Sequence, residues 1–270
     1  MHRFQAKIRV NISLSPHWRI LGFEWPAELA KPTPGQFFTY RPRTTEGLDA
    51  GLLRRPLAFA GMSDSLALAI YEIKGPGTRA LGTAGPDDYI DIIAPLGNGF
   101  PLPEAGESPV LLGGGIGIGP MLYFQSTLVN SRLFLGFRSA AVIPDFGMSP
   151  EVRGILDIFR TAEIATDDGS KGFKGTVFDA AAPLVGRSGP GSGHTHLYAC
   201  GPAPMLSAVD RFAAATSCPA HVSVEQWMAC GVGACYGCVL PALAGGYVRA
   251  CADGPVFASG IIRWEGGNHD

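Results

Sequence analysis

Near the start of the chain, Phe4, Ala6, Ile8, Val10 and Ile12 alternate with Gln5, Lys7, Arg9 and Asn11. That period of two marks a half-buried strand. Further short apolar runs follow at Trp18–Phe23, Gln36–Tyr40, Pro56–Ala60, Leu66–Lys74 and Tyr89–Ile93. Turn clusters such as Lys31-Pro32-Thr33-Pro34-Gly35 and Gly75-Pro76-Gly77 separate them. About six strands at this spacing predict a small antiparallel β-barrel. The polar, turn-rich segment 41–54 reads as an exposed loop.

The pattern changes after the linker Pro101–Pro109. Val110-Leu111-Leu112 reads as a short buried strand, followed by Gly113-Gly114-Gly115-Ile116-Gly117-Ile118-Gly119-Pro120 and a helical run from Met121 to Asn130. Leu133–Phe137, Glu163–Thr166 and His196–Cys200 read as further buried strands, predicting a Rossmann-like parallel α/β domain. Residues 186–194 read as a flexible loop. The expected fold class is therefore β plus α/β: an N-terminal antiparallel β-barrel over 1–104, a parallel α/β domain over 105–216, and a cysteine-bearing subdomain over 217–270.

Composition narrows the class. Of 270 residues, 46% are hydrophobic and 16% charged, so a sizeable core can form and a disordered chain is excluded. Lys plus Arg is 21 against 23 for Asp plus Glu, which gives no electrostatic reason to expect nucleic acid or an anionic membrane as partner. The N-terminal stretch alternates and lacks the apolar core of a signal peptide. The most apolar run, Val110–Phe124, is broken by five glycines and is too short to span a bilayer. The expectation is a soluble cytoplasmic protein with reduced thiols.

The strongest chemical signal lies in Glu225–Gly254. Cys230, Cys235, Cys238 and Cys251 have the spacing C-x4-C-x2-C followed by a lone cysteine, that of a plant-type [2Fe-2S] loop. Gly231, Gly233 and Gly237 stand between the ligands, where glycine can take positive φ and turn N–H groups toward sulfur. A four-cysteine zinc site is the alternative, although zinc sites usually come as two short pairs.

Other motifs are weaker alone. Arg54-Arg55-Pro56-Leu57-Ala58 puts paired arginines before a proline-started strand; a guanidinium there can grip a diphosphate, or both can lie on a solvated edge. Ile70-Tyr71-Glu72 with Gly77-Thr78 is a strand ending in a glycine turn that can offer N–H donors, or merely a turn. Gly113, Gly114, Gly115 and Gly117, between a strand and a helix, suit a diphosphate, or merely make a tight strand-to-helix turn. Cys200-Gly201-Pro202 is a second strand-end turn, where Cys200 lies beside a nicotinamide or is a small buried residue. No G-x-S-x-G or H-E-x-x-H is present, so hydrolase chemistry has no footing.

Taken together, barrel, nucleotide domain and cysteine tail resemble the ferredoxin-reductase superfamily. Within it the chain resembles the electron-transfer subunit of class B (NAD-linked) dihydroorotate dehydrogenase. The resemblance runs from Pro34-Gly35-Gln36-Phe37 through Pro95-Leu96-Gly97-Asn98-Gly99-Phe100 to Met228–Cys238 and Cys251–Phe257. It implies FAD held by Arg55, Pro56, Leu57, Ala58, Ile70, Tyr71, Glu72, Gly77 and Thr78. It implies NAD at Gly113, Gly114, Gly115, Gly117, Cys200, Gly201 and Pro202, and a [2Fe-2S] cluster on Cys230, Cys235, Cys238 and Cys251. One departure is Ala58, where the family usually carries a serine or threonine, so a hydroxyl contact to the flavin is absent or replaced.

The implied function is to relay electrons from an FMN-containing dihydroorotate dehydrogenase catalytic subunit, in a two-plus-two heterotetramer, through the cluster and FAD to NAD+ in pyrimidine (UMP) synthesis. No general acid or base is required, and this chain alone would not oxidise dihydroorotate. A related ferredoxin, sulfide or hydrogenase reductase subunit with another partner is the runner-up. A non-enzymatic zinc protein with degenerate cofactor loops is the third reading.

Overall fold

A computed structural model describes residues 1–43, 51–63, 65–146, 152–185 and 194–264. The first part is a seven-stranded antiparallel sheet of β1 (His2–Ser13), β2 (Trp18–Glu24), β3 (Phe37–Arg41), β4 (Arg55–Ala58), β5 (Gly61–Ser63), β6 (Leu66–Glu72) and β7 (Tyr89–Leu96), in the order β4-β3-β7-β1-β2-β6-β5. The period-two pattern does what was expected of it: Ala6, Ile8 and Val10 of β1 are buried. Register shifts between Ile8 and Val10 and between Phe37 and Thr39 bend the sheet, which curls into a half-barrel. Inside, Phe23, Phe38 and Phe59 pack with neighbouring ring centroids 5.0 and 5.1 Å apart. The loop expected over 41–54 lies partly outside the described residues, at 44–50.

The turn expected at Pro76-Gly77 is instead the first turn of a helix, α1 (Pro76–Gly82). Proline is pre-set for that position, and Thr78 Oγ1 accepts from the N–H groups of Lys74 and Gly75 at 3.0 and 3.2 Å. Buried Asn11 ties α1 to the sheet. Its Nδ2 donates to the carbonyls of Leu81 and Ala84 at 2.8 and 2.7 Å, and its Oδ1 accepts from Tyr71 Oη at 2.7 Å.

The second sheet contains β8 (Ser108–Gly114), β9 (Arg132–Phe137), β10 (Glu163–Thr166), β11 (Phe173–Lys174), β12 (Thr195–Cys200) and β13 (Ala220–Ser223), all parallel. Helices α2 (Ile118–Gln125), α3 (Arg153–Arg160), α4 (Val177–Ala181) and α5 (Ala203–Thr216) accompany them. A ribbon of β14 (Val239–Pro241) and β15 (Tyr247–Arg249) follows, and then β16 (Val256–Ala258) closes the sheet antiparallel to β13. The strand order is β11-β10-β9-β8-β12-β13-β16. The chain steps from β8 to β9 on one side and returns to β12 on the other. This makes a topological switch point between β8 and β12, where open α/β sheets bind ligands.

Helix α2 is buried over Ile118–Phe124 because it lies between the sheet and the half-barrel. It stops at Gln125, short of the expected Asn130, because Ser126 and Thr127 turn their hydroxyls back onto the Tyr123 and Phe124 carbonyls and Asn130 takes φ +60°. One core cluster joins Val10, Ile20 and Ile70 of the half-barrel to Met121, Phe124 and Tyr198. The last segment is fastened to both parts: β16 pairs with β13, and Asn98 donates through its backbone N–H to Gly254 O at 2.7 Å and through Nδ2 to Asp253 O at 2.9 Å. The barrel exit Pro95–Phe100 is thereby seated against the cysteine-bearing tail.

Candidate functional site: two cradles and a cysteine loop

The structure separates the two barrel arginines. Arg54 turns inward, donating to Thr39 Oγ1 at 3.1 Å and to the Asp91 carbonyl and carboxylate at 2.6 and 3.0 Å. It fastens β3 to β7. Among the described residues Arg55 bonds to the carbonyls of Leu53 and Arg54, at 3.0 and 3.5 Å, and it lies across the start of α1. A Cβ on Gly77 would stand 2.9 Å from Arg55 Nε, so glycine is what lets the guanidinium rest there. A cation beside the first N–H groups of a helix is chemically suited to a diphosphate.

Pro56, Leu57 and Ala58 are half-buried on edge strand β4, where proline is tolerated because no ladder partner needs its N–H. Ile70 and Tyr71 offer no side chain to a ligand. Tyr71 is wholly enclosed, and Ile70 packs beneath α2. Their backbone is different: β2 pairs with β6 along its whole length, whereas β5 reaches only Leu68. Among the described residues one edge of β6 from Ala69 to Glu72 therefore lacks a strand partner, and Glu72 pairs with Lys74 at 3.1 Å.

At the switch point the two glycine turns interlock. Cys200 stands opposite Gly113 in register. A Cβ on Gly117 would lie 2.1 Å from the Cys200 carbonyl oxygen, one on Gly114 would lie 3.0 Å from Pro202 Cδ, and one on Gly201 would lie 3.1 Å from the Gly114 backbone. These glycines allow two strand ends to meet. Gly115 differs: it has φ +52° and open space where a side chain would be. Burial pushes the Cys200 thiol up to about 12, so it is protonated at neutral pH and no nucleophile.

Cys230, Cys235, Cys238 and Cys251 come together. Sulfurs of Cys238 and Cys251 lie 3.2 Å apart, and Cys230 interacts with Cys235, so the thiols fall into two pairs. Among the described residues no three His, Cys, Asp or Glu side chains form a single-ion cage. A dinuclear cluster spreads its thiolates over two irons and does not need one. Backbone donors aim at the sulfurs: Val232 N to Cys230, Gly233 N to Cys251 and Gly237 N to Cys235, at 3.4, 3.1 and 3.4 Å. Burial opposes the Cys230 thiolate, but N–H groups of Val232, Cys235 and Ala234 outweigh it and bring this thiol down to about 6. Positive φ at Gly231, Gly233 and Tyr236, at +70°, +81° and +57°, curls the loop around them. The loop leans on the barrel, where a Cβ on Gly231 would stand 2.8 Å from Thr39 Cγ2. The donor set and the converging N–H groups fit an anionic iron–sulfur cluster.

Sequence reasoning overlooked Arg249 and Asp253, which flank Cys251 four residues apart and form an ion pair at 2.8 Å. Their i, i+4 spacing around Cys251 was the available signal.

Residues 225–263 match the family described as the iron–sulfur cluster binding domain of dihydroorotate dehydrogenase B. A Desulforamulus reducens protein, named dihydroorotate dehydrogenase B (NAD(+)), electron transfer subunit, is 32% identical over 97% of this chain and 98% of its own length. The protein of that name from Geobacillus thermodenitrificans is 38% identical over 85% of this chain and 86% of its own. Among solved structures, that of an NADH-dependent reduced ferredoxin-NADP oxidoreductase superposes with a TM-score of 0.76 at 26% identity, covering 96% of this chain and 90% of that one. Phthalate dioxygenase reductase shares the fold, with a TM-score of 0.58 at 20% identity over 93% of this chain and 77% of its own. Whole-length identity of this order, joined to the matched cluster domain, places the chain in the family of electron transfer subunits of dihydroorotate dehydrogenase B.

Proposed function

We propose that this chain relays electrons from an FMN-containing dihydroorotate dehydrogenase catalytic subunit to NAD+, serving pyrimidine synthesis. The observation that carries the reading is the cysteine loop seated on the half-barrel wall at Thr39, in one molecule with a diphosphate cradle and a dinucleotide crevice. Bound together, a [2Fe-2S] cluster passes single electrons, FAD exchanges one or two, and NAD+ takes a hydride.

Each of the chain's own residues has a positioning task. Cys230, Cys235, Cys238 and Cys251 would hold the iron. Arg55 would neutralise the FAD diphosphate beside Gly77 and Thr78, while the open edge of Ile70, Tyr71 and Glu72 and the half-buried Pro56, Leu57 and Ala58 would frame the flavin. Gly113, Gly114, Gly115 and Gly117 would admit the NAD diphosphate at the switch point, with Cys200, Gly201 and Pro202 forming the facing wall. In this reading 1–104, 105–216 and 217–270 are the working units, and β13 and β16 splice the third into the sheet of the second. The partner would meet the cluster end, as two copies of each subunit. Among the described residues no helix is long and apolar enough to cross a membrane, and a cytoplasmic location accords with reduced thiols.

The test is an anaerobic pull-down of the tagged chain from its own cells, assayed for dihydroorotate-driven NADH formation. A yellow-brown complex with that activity and an FMN-containing second subunit is expected; a colourless complex would overturn the reading. The likeness to the ferredoxin-NADP oxidoreductase structure favours a second reading, in which ferredoxin is the partner. A coloured complex that turns over ferredoxin but not dihydroorotate would select it.

A further inference from the structure

Three short segments carry the four cysteines, and one side chain reaches all of them. Arg249 Nη1 donates to the carbonyl of Gly233, between Cys230 and Cys235, at 3.1 Å. Its guanidinium carbon lies 5.3 Å from the ring centroid of Tyr236, between Cys235 and Cys238. Its Nε and Nη2 donate to the two carboxylate oxygens of Asp253, beyond Cys251, at 3.1 and 2.8 Å, and its own backbone N–H donates to Asp253 Oδ2 at 2.7 Å. A planar fork with five donors is the side chain suited to such a three-way contact.

The contact at Gly233 has an electrical consequence. The carbonyl that accepts from Arg249 belongs to Gly233, whose own N–H donates to Cys251 Sγ at 3.1 Å. Arg249 thus acts on the cysteine loop twice, by holding its segments and by setting a positive charge on the residue whose N–H donates to the Cys251 sulfur, while Asp253 partly offsets that charge.

We propose that Arg249 is the positioning residue of the cysteine loop, latching its three segments and raising the reduction potential of the cluster, with Asp253 as its counterweight. This rests on the cluster reading above. A positive charge near the cluster favours the more negative, reduced state, so the two partners must move the potential in opposite directions.

The experiment uses the full chain purified anaerobically, as wild type, Arg249→Gln, Arg249→Lys and Asp253→Asn. Iron and acid-labile sulfide are counted, cluster loss to a chelator is timed, and the midpoint potential is read by electron paramagnetic resonance during reductive titration. Arg249→Gln is expected to lose its cluster on the order of tenfold faster and to titrate at lower potential. Arg249→Lys should keep the wild-type potential while still losing the cluster faster, because its point charge cannot make the fork. Asp253→Asn should titrate at higher potential. If Arg249→Gln does not accumulate folded, the lysine and asparagine variants carry the test. Wild-type retention in Arg249→Lys, or shifts of one sign on both sides of the pair, would overturn the proposal. A wild-type chain purified without iron and sulfide would overturn the cluster reading instead.

Discussion

The cysteine loop and the switch-point crevice are both rich in glycine, and glycine does different work in each. In the loop the backbone must turn left-handed, with Gly231 at φ +70° and Gly233 at φ +81°, so that N–H groups face sulfur. In the crevice Gly117 has φ −65°, which any residue can adopt, and what it lacks is room. One region needs the freedom of glycine and the other its smallness. The loop also carries its chemistry in its own side chains, whereas the crevice offers backbone and shape.

The sharpest break of this comparison is at the ligands. Cys235→Ser should abolish the cluster and the local order it imposes, read as loss of iron, visible absorbance and visible circular dichroism. An unchanged spectrum would remove Cys235 from the ligand set. The crevice should fail sterically: Gly117→Ala puts a methyl group against the Cys200 carbonyl, costing about 3 kcal/mol in urea unfolding and weakening NADH binding. Gly115→Ala, two residues earlier, meets open space and should cost about 1 kcal/mol, from its left-handed backbone alone. Equal losses at the two positions would refute the distinction between freedom and smallness.

The amino end of the same sheet supplies the smallest and most conditional effect. There Glu107 Oε2 and His196 Nδ1 lie 2.8 Å apart, and His196 Nε2 and His221 Nδ1 lie 2.9 Å apart. Burial, helped by His196, pushes His221 down to about 4 from an ordinary 6.5. The unfolded chain takes up this proton near pH 6.5 and the folded chain not until about pH 4, so unfolding binds a proton between them. Stability supplied by the neutral ring is complete above that window and is lost as pH falls through it. His221→Gln should therefore show a shallower decline in urea midpoint than wild type between neutral pH and about pH 5. Parallel declines in the two proteins would show that this ring contributes nothing to the acid sensitivity.

Much of the architecture was legible because it is written in local periods. Alternation along β1 fixed which face is buried, and the spacing of Cys230, Cys235, Cys238 and Cys251 pointed to a cluster rather than to zinc. The glycine run that begins in the last two residues of β8 announced a strand-to-helix turn for the same reason: neighbours in sequence are neighbours in space. Helix α1 was hidden because seven residues are too few to display a helical period. Strand β16 was hidden because its partner β13 precedes it by the whole cysteine loop.

Tertiary structure alone decided what depends on such distant meetings. Arg54 and Arg55 are adjacent and identical in type, yet one is spent on Asp91 and the other lies over α1. Tyr71 falls within a motif and nevertheless turns its side chain into the core toward Asn11. Gly117 and Gly115 look interchangeable until Cys200 arrives against only one of them. Sequence by itself determined the classes of element and singled out the four cysteines as candidate ligands, since periodicity and thiol spacing are local. Which arginine stays available, which glycine is crowded and which residue latches the loop were decided only when remote segments packed, because those properties belong to contacts and not to residues.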